Sequence, residues 1–226
     1  TAESFASWGK ELGADMEPLY VRLPGRGIRF FEQAFDDLPK LVEALLPELA
    51  SIADQPFSFF GHSMGALIAF ELAHAAKQEL GVEPAFLFLS GHRAPCLPNA
   101  RKRLLHTMDE GSLHKALVEM GGLGESPLSA EDLAPFMPTL YHDFKLCETY
   151  RYEDRQKLNS HAVILYGLDD PWIQADKLEL WQNEFSQEIE LCPFSGGHFY
   201  LNHHPSAVID RIHGRLQTQN ERRKVQ

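Results

Sequence analysis

Two runs of the chain are apolar at every position: 85–89 (Ala-Phe-Leu-Phe-Leu) and 162–166 (Ala-Val-Ile-Leu-Tyr). A strand with one face in water alternates polar and apolar residues. One without alternation is covered on both faces, as in a parallel sheet packed between helices. Both runs end in turn residues, Ser90-Gly91 and Gly167, so they read as central strands. Three weaker segments join them: 17–23 (Glu-Pro-Leu-Tyr-Val-Arg-Leu), stopped by Pro24-Gly25-Arg26-Gly27; 57–60 (Phe-Ser-Phe-Phe); and 189–192.

Helical patterns lie between these runs. Leu38, Leu41, Val42, Leu45, Leu46, Leu49 and Ile52 share one face of a long amphipathic helix. Segment 66–76 is apolar on most sides, which predicts a buried helix. A last helix starts at Pro205, a residue suited to a first turn, and carries Val208, Ile209, Ile212 and Leu216. The tail from residue 217 is polar and basic and is expected to fray. Strands alternating with helices specify an α/β fold with a mostly parallel sheet. A length of 226 residues suits a single domain, 1–226.

One stretch, about 98–159, breaks the rhythm. It reads as helix over 104–120 and 130–150, with a hinge at Gly121-Gly122-Leu123-Gly124 and no obvious strand. This is the pattern of a helical lid inserted between two strands; two ordinary crossover helices are the alternative.

Composition narrows the class of partner. With 21 Lys and Arg against 32 Asp and Glu, the net charge of −11 disfavours nucleic acid or an anionic membrane. No apolar run approaches the roughly 18 residues of a membrane span. Thr1-Ala2-Glu3-Ser4 lacks the basic and apolar parts of a signal peptide. The opening Thr1 suggests a processed chain or one without its original first segment. Three widely spaced cysteines (Cys96, Cys147, Cys192) do not make a disulfide scaffold, so a reducing, cytoplasmic setting is expected, with the chain a monomer.

The strongest chemical signal is Gly61-His62-Ser63-Met64-Gly65. G-x-S-x-G alone is weak, and a glycine-bounded turn with an incidental serine is the plain reading. Here, however, it follows an apolar strand and opens a helix, which is the setting of a nucleophile elbow. The two glycines allow a tight turn and close approach of strand and helix. The turn would raise the Ser63 hydroxyl at a helix N-terminus, with the Met64 amide as one oxyanion donor.

A nucleophilic serine needs a base, and the base an orienting acid. Elbow-bearing folds order them serine, acid, histidine. Gly167-Leu168-Asp169-Asp170-Pro171 and Gly196-Gly197-His198-Phe199 each follow a candidate strand, where an open α/β sheet places its site. Asp170 is preferred over Asp169 as the acid, because a G-x-x-D turn ahead of proline aims it towards His198. His62 would support the elbow turn. His203 and His204 invite a metal reading, but neither HExxH nor paired cysteines accompany them, so no metal and no cofactor are expected.

At these residues the sequence resembles the type II thioesterases that accompany nonribosomal peptide and polyketide synthases, close kin of the animal acyl-carrier-protein thioesterase. The resemblance rests on Leu23-Pro24-Gly25-Arg26-Gly27, Phe59 to Gly65, Ser90-Gly91-His92-Arg93-Ala94-Pro95, Glu148-Thr149-Tyr150-Arg151-Tyr152 and Gly196-Gly197-His198-Phe199-Tyr200-Leu201, in order along nearly the whole chain. It implies an α/β-hydrolase fold with a helical lid. It also implies hydrolysis of acyl groups from the phosphopantetheine thiol of carrier proteins, which clears stalled or misprimed synthases. Members usually begin with a strand and a Phe-Pro-x-Ala-Gly-Gly loop that supplies a second oxyanion donor, whereas this chain begins about where that loop would end.

Two other functions share these residues: a carboxylesterase on small oxygen esters, and a catalytically silent α/β-hydrolase that binds a carrier or small ligand. Arg93 and the group Arg101-Lys102-Arg103 flank the start of the lid. They would meet the pantetheine phosphate or an acidic carrier surface, or else form a merely solvated helix start.

Overall fold

In the computed structural model, residues 2–13, 16–99, 103–123 and 128–224 are described. The chain divides into two compact units, Phe35–Phe199 and Thr1–Ala34 with Tyr200–Gln226.

The larger unit is built on four strands, β1 (Phe59–His62), β2 (Phe86–Ser90), β3 (His161–Gly167) and β4 (Glu190–Phe194). They lie side by side in chain order, all parallel. β2 is buried at all five positions, as its unbroken apolar run requires. The helix expected from the first amphipathic pattern is α1 (Leu38–Ala50); Asp37 caps it by accepting from the Lys40 N–H at 3.1 Å. Helix α2 (Met64–Ala75) connects β1 to β2 and buries Ala66, Ala69, Phe70 and Ala73. These share one helix face, and its three alanines let the axis come close to Leu87 and Leu89 of β2 and Ala162 and Ile164 of β3. Trp181 and Phe185, from a run of 3-10 turns between β3 and β4, close the same core.

The connection from β2 to β3 carries α3 (Glu110–Glu119), α4 (Ala130–Leu133) and α5 (Met137–Glu148), and no strand among the described residues. These helices have a core of their own, in which Leu105, Leu113, Leu117, Leu133 and Met137 are buried. The boundaries differ from the expected 104–120 and 130–150 for identifiable reasons. Asp109 takes the Ser112 N–H at 2.9 Å and so starts α3 at Glu110, after a separate 3-10 turn at Leu105–Thr107. Pro135 and Pro138 lack amide hydrogens, so the second helix breaks into α4, a 3-10 turn at Ala134–Phe136, and α5.

The smaller unit contributes short 3-10 turns, α6 (Tyr200–His203) and α7 (Pro205–Lys224), which starts at the expected proline. Val208, Ile209 and Ile212 are its buried stripe. The strand expected at 17–23 is not formed: Leu19 and Val21 are 58% and 60% exposed, and the segment joins no sheet among the described residues. Alternating β-prone residues make a strand only where a partner's backbone takes up their N–H and C=O groups. Among the described residues no helix is long and apolar enough to cross a membrane.

Candidate active site

The elbow joins β1 to α2 without a spacer. His62 ends the strand, Met64 starts the helix, and Ser63 alone makes the turn, at φ 54° and ψ −115°. It is the one described non-glycine residue with positive φ. The turn is tied to the sheet, since the Ser63 N–H donates to the Ser90 carbonyl at 2.8 Å. A serine ahead of a helix ordinarily caps it with its hydroxyl. Here the unusual backbone turns the hydroxyl away from the helix amides, and no such cap forms. Only one elbow glycine is required by close packing. A β-carbon on Gly61 would overlap the Gly65 carbonyl, whereas one on Gly65 would meet nothing within 4 Å.

The hydroxyl instead faces His198, with Oγ to Nε2 at 3.0 Å. On the other side of the imidazole, Nδ1 lies 2.7 Å from Asp170 Oδ2. An ionised carboxylate only accepts, so Nδ1 carries the hydrogen and Nε2 is left to accept the serine proton. Asp170 and His198 are 5% and 7% exposed, out of competition with water. Two backbone bonds extend the β3–β4 pairing past the strand ends, Leu168 N–H to Phe194 O and Asp169 N–H to Gly196 O, both at 2.9 Å. The acid and the histidine are thereby set opposite one another. Asp170 Oδ1 accepts from the Trp172 N–H at 3.0 Å, which fixes the carboxylate. Asp169 is exposed.

Several contributors escaped the sequence reading. Gly91 is in the left-handed region (φ 61°), and a β-carbon there would lie 2.7 Å from His62 Cε1 and 3.4 Å from His198 Cε1. Gly167 is equally constrained, as its β-carbon would meet the Gly196 carbonyl at 2.5 Å. Trp172 stands edge-on to the His198 ring, centroids 4.6 Å apart. His62 does more than support the turn: its Nδ1 and the Ser90 Oγ share a 2.8 Å hydrogen bond, and its ring lies 4.9 Å from His198. Burial, then the neighbouring His198 and His92, hold its pKa well below the ordinary value, so it stays neutral. Ser90 thus also has a histidine neighbour, but its side chain is wholly buried and the Asp170–His198 pair faces Ser63.

The Glu148-Thr149-Tyr150-Arg151-Tyr152 stretch fastens the helical segment. Glu148 accepts from the Leu105 N–H (2.9 Å), the His106 N–H (3.1 Å) and His106 Nδ1 (2.7 Å), joining both ends of residues 105–148. Tyr150 donates its hydroxyl proton to Glu71 on α2 at 2.7 Å. Of the basic residues near the start of the helical segment, Arg93 donates Nε–H to the Leu97 carbonyl at 3.0 Å, and Arg103 has a 61% exposed side chain. Arg101 and Lys102, like Gly124 of the hinge, lie outside the described residues.

A parallel α/β sheet that presents Ser, His and Asp at its strand ends defines a serine hydrolase. Residues 1–216 match the thioesterase domain, and the chain belongs to that family of thioester hydrolases. It is 35% identical over 222 residues to linear gramicidin dehydrogenase LgrE of Brevibacillus parabrevis, covering 95% of this chain and 82% of that protein. It is 33% identical to gramicidin S biosynthesis protein GrsT of Aneurinibacillus migulanus, covering 88% and 78%. The type II thioesterase BorB of the borrelidin biosynthetic cluster superposes with a TM-score of 0.87 at 30% identity, covering 94% and 86%.

Proposed function

We propose that this chain is a type II thioesterase that removes acyl groups from the phosphopantetheine arm of carrier proteins, clearing stalled or misprimed nonribosomal peptide or polyketide synthases. The observation that carries the reading is His198 bridging Ser63 and Asp170 at 3.0 and 2.7 Å in a chain of the thioesterase family. In this reading Ser63 is the nucleophile, His198 the base and Asp170 the acid that holds the imidazole tautomer.

The proton on Ser63 Oγ passes to His198 Nε2 as Oγ attacks the thioester carbonyl. The oxyanion is met by the Met64 N–H, one of the first-turn amides a helix cannot pair internally. As the C–S bond breaks, the pantetheine sulfur leaves and takes up the proton from His198. Water then gives a proton to the same nitrogen and attacks the acyl-serine, and the proton returns to Ser63 as the free acid departs. A thiolate leaves more readily than an alkoxide, so a thioester asks little of the general acid. Arg93 and Arg103, with Arg101, are assigned to the pantetheine phosphate or the acidic surface of the carrier. At a net charge of −11, docking on an acidic partner needs such a local basic patch.

The test is a panel of acyl-loaded carrier proteins, with small p-nitrophenyl esters as the oxygen-ester control. Ser63→Ala is expected to lower carrier-linked turnover by at least about 10³-fold while carrier binding is kept. Full activity in that variant, or turnover confined to the oxygen esters, overturns the reading.

A further inference from the structure

Phe199 touches two parts of the larger unit that are far apart in sequence. Its ring stands edge-on to the His198 imidazole, centroids 5.0 Å apart at 86°, and lies 5.8 Å from the His62 ring. At the tip of the same ring lies the turn after α3, where a β-carbon on Gly122 would be 3.4 Å from Phe199 Cε2 and 3.5 Å from Cζ. Those are ordinary contact distances, so a methyl group at 122 would rest directly on the ring.

The position of Gly122 is set by the end of α3. The Gly121 N–H returns to the Val118 carbonyl at 2.9 Å, and the Gly122 N–H to the Leu117 carbonyl at 3.0 Å. Gly121 is at φ 69°. This pair of bonds is a Schellman turn, which needs a left-handed residue after the helix and fixes the direction of the next one. Leu117 is also in the lid's own core, so the turn is carried by a packed body.

Besides His62, two aromatic rings flank the imidazole of His198. Trp172 belongs to the Asp170 loop and is held there by the bond from its own N–H to Asp170. Phe199 instead meets the lid at its outer edge. We propose that Phe199 is a positioning residue: it is the seat on which the lid closes, and Gly122 resting on it holds the ring against His198. This rests on the assignment of Ser63, His198 and Asp170 above.

A double-mutant cycle at 122 and 199 tests this, read as separate kcat and KM on an acyl-pantetheine, thermal unfolding, and limited proteolysis of the 121–123 turn. Gly122→Ala is expected to stay within about twofold of the parent. Gly122→Leu should lower kcat by about tenfold or more with little change in KM, since small misplacements of a reacting group are costly. It should also speed cleavage of the turn without a matching fall in melting temperature. Phe199→Ala should lower kcat similarly, and adding Gly122→Leu to it should cost less than about twofold, because the ring it would strike has gone. Parent-like kcat in Gly122→Leu, or effects at the two positions that simply multiply, overturns the proposal. If Ser63→Ala hydrolyses the substrate like the parent, the catalytic assignment has failed instead, and the proteolysis result still reports on the lid seat.

Discussion

Around Ser63 the main chain is packed into contact with itself. Gly61 lies against the Gly65 carbonyl, Gly91 against two imidazoles, and Gly167 against the backbone at Gly196 and Gly197, all without space for a β-carbon. The segment 105–148 is assembled by side chains: its own cluster of leucines and methionines, caps from Asp109 and Ser129, and the Glu148 carboxylate at its base. The contrast separates two tasks. Groups that exchange a proton must keep their spacing to a fraction of an ångström, and packed backbone does that best. The segment proposed as a lid is instead a body with a core of its own.

The largest expected effect breaks the rigid region. Gly167→Ala should cost about 3 kcal/mol or more and abolish turnover, because the loops bearing Asp170 and His198 must part. Gly61→Ala should do the same through the elbow, while Gly65→Ala, in the same motif, should gain about 0.5–1 kcal/mol from helix propensity. Denaturant unfolding measures all three, and similar losses at 61 and 65 would contradict the packing described here.

Next comes the base of the helical segment 105–148. Glu148→Ala leaves two amides and an imidazole without their buried acceptor, so a loss of about 1–3 kcal/mol is expected. Hydrogen exchange should place it at residues 105–107 and leave the elbow protected. Spread of exchange into β1 and α2 would mean that the two regions open together.

Acid sharpens the comparison on the sheet side. Burial holds His74 at a pKa of about 4 and His92 at about 3, well below the unfolded value near 6.5. Between those limits the unfolded chain binds more protons, so stability falls as pH drops from 6.5 towards 4. His74→Gln should flatten that slope in thermal unfolding measured across pH; an unchanged slope would show that other groups cause it.

The smallest effect has the opposite sign. Burial raises the pKa of Glu184, so its charged form is disfavoured in the fold. Glu184→Gln should gain up to about 1 kcal/mol near neutral pH and nothing at low pH, where the acid is already protonated. A loss at pH 7 would mean that the carboxylate is needed as an acceptor.

The sheet and the three catalytic candidates were legible because each is written locally: an unbroken apolar run for β2 and β3, and a turn motif directly after a strand for Ser63, Asp170 and His198. The preference for Asp170 over Asp169 rests on one turn, and it is Asp170 that meets His198. What escaped was non-local. The 17–23 segment has strand-like residues, but strand formation depends on a neighbour its own pattern does not contain. The contact of Gly91 with His62, the pinning of Leu105 by Glu148 and the meeting of Gly122 with Phe199 join residues many positions apart. Gly91 and Glu148 lie in stretches that carry the family resemblance, but nothing in those stretches shows what they touch. The helix boundaries within 105–148 are recoverable in part, since Asp109 three residues before Ser112 and prolines at 135 and 138 are visible start and stop signals.

The backbone at Ser63 has a consequence for directed evolution of this chain. A serine held at φ 54° and ψ −115° costs on the order of 1–3 kcal/mol that a glycine there would not. Ser63→Gly should therefore melt at a higher temperature than the parent while losing the proposed nucleophile. A library screened for heat resistance alone would enrich inactive chains at this codon, so selection for robustness has to be coupled to turnover.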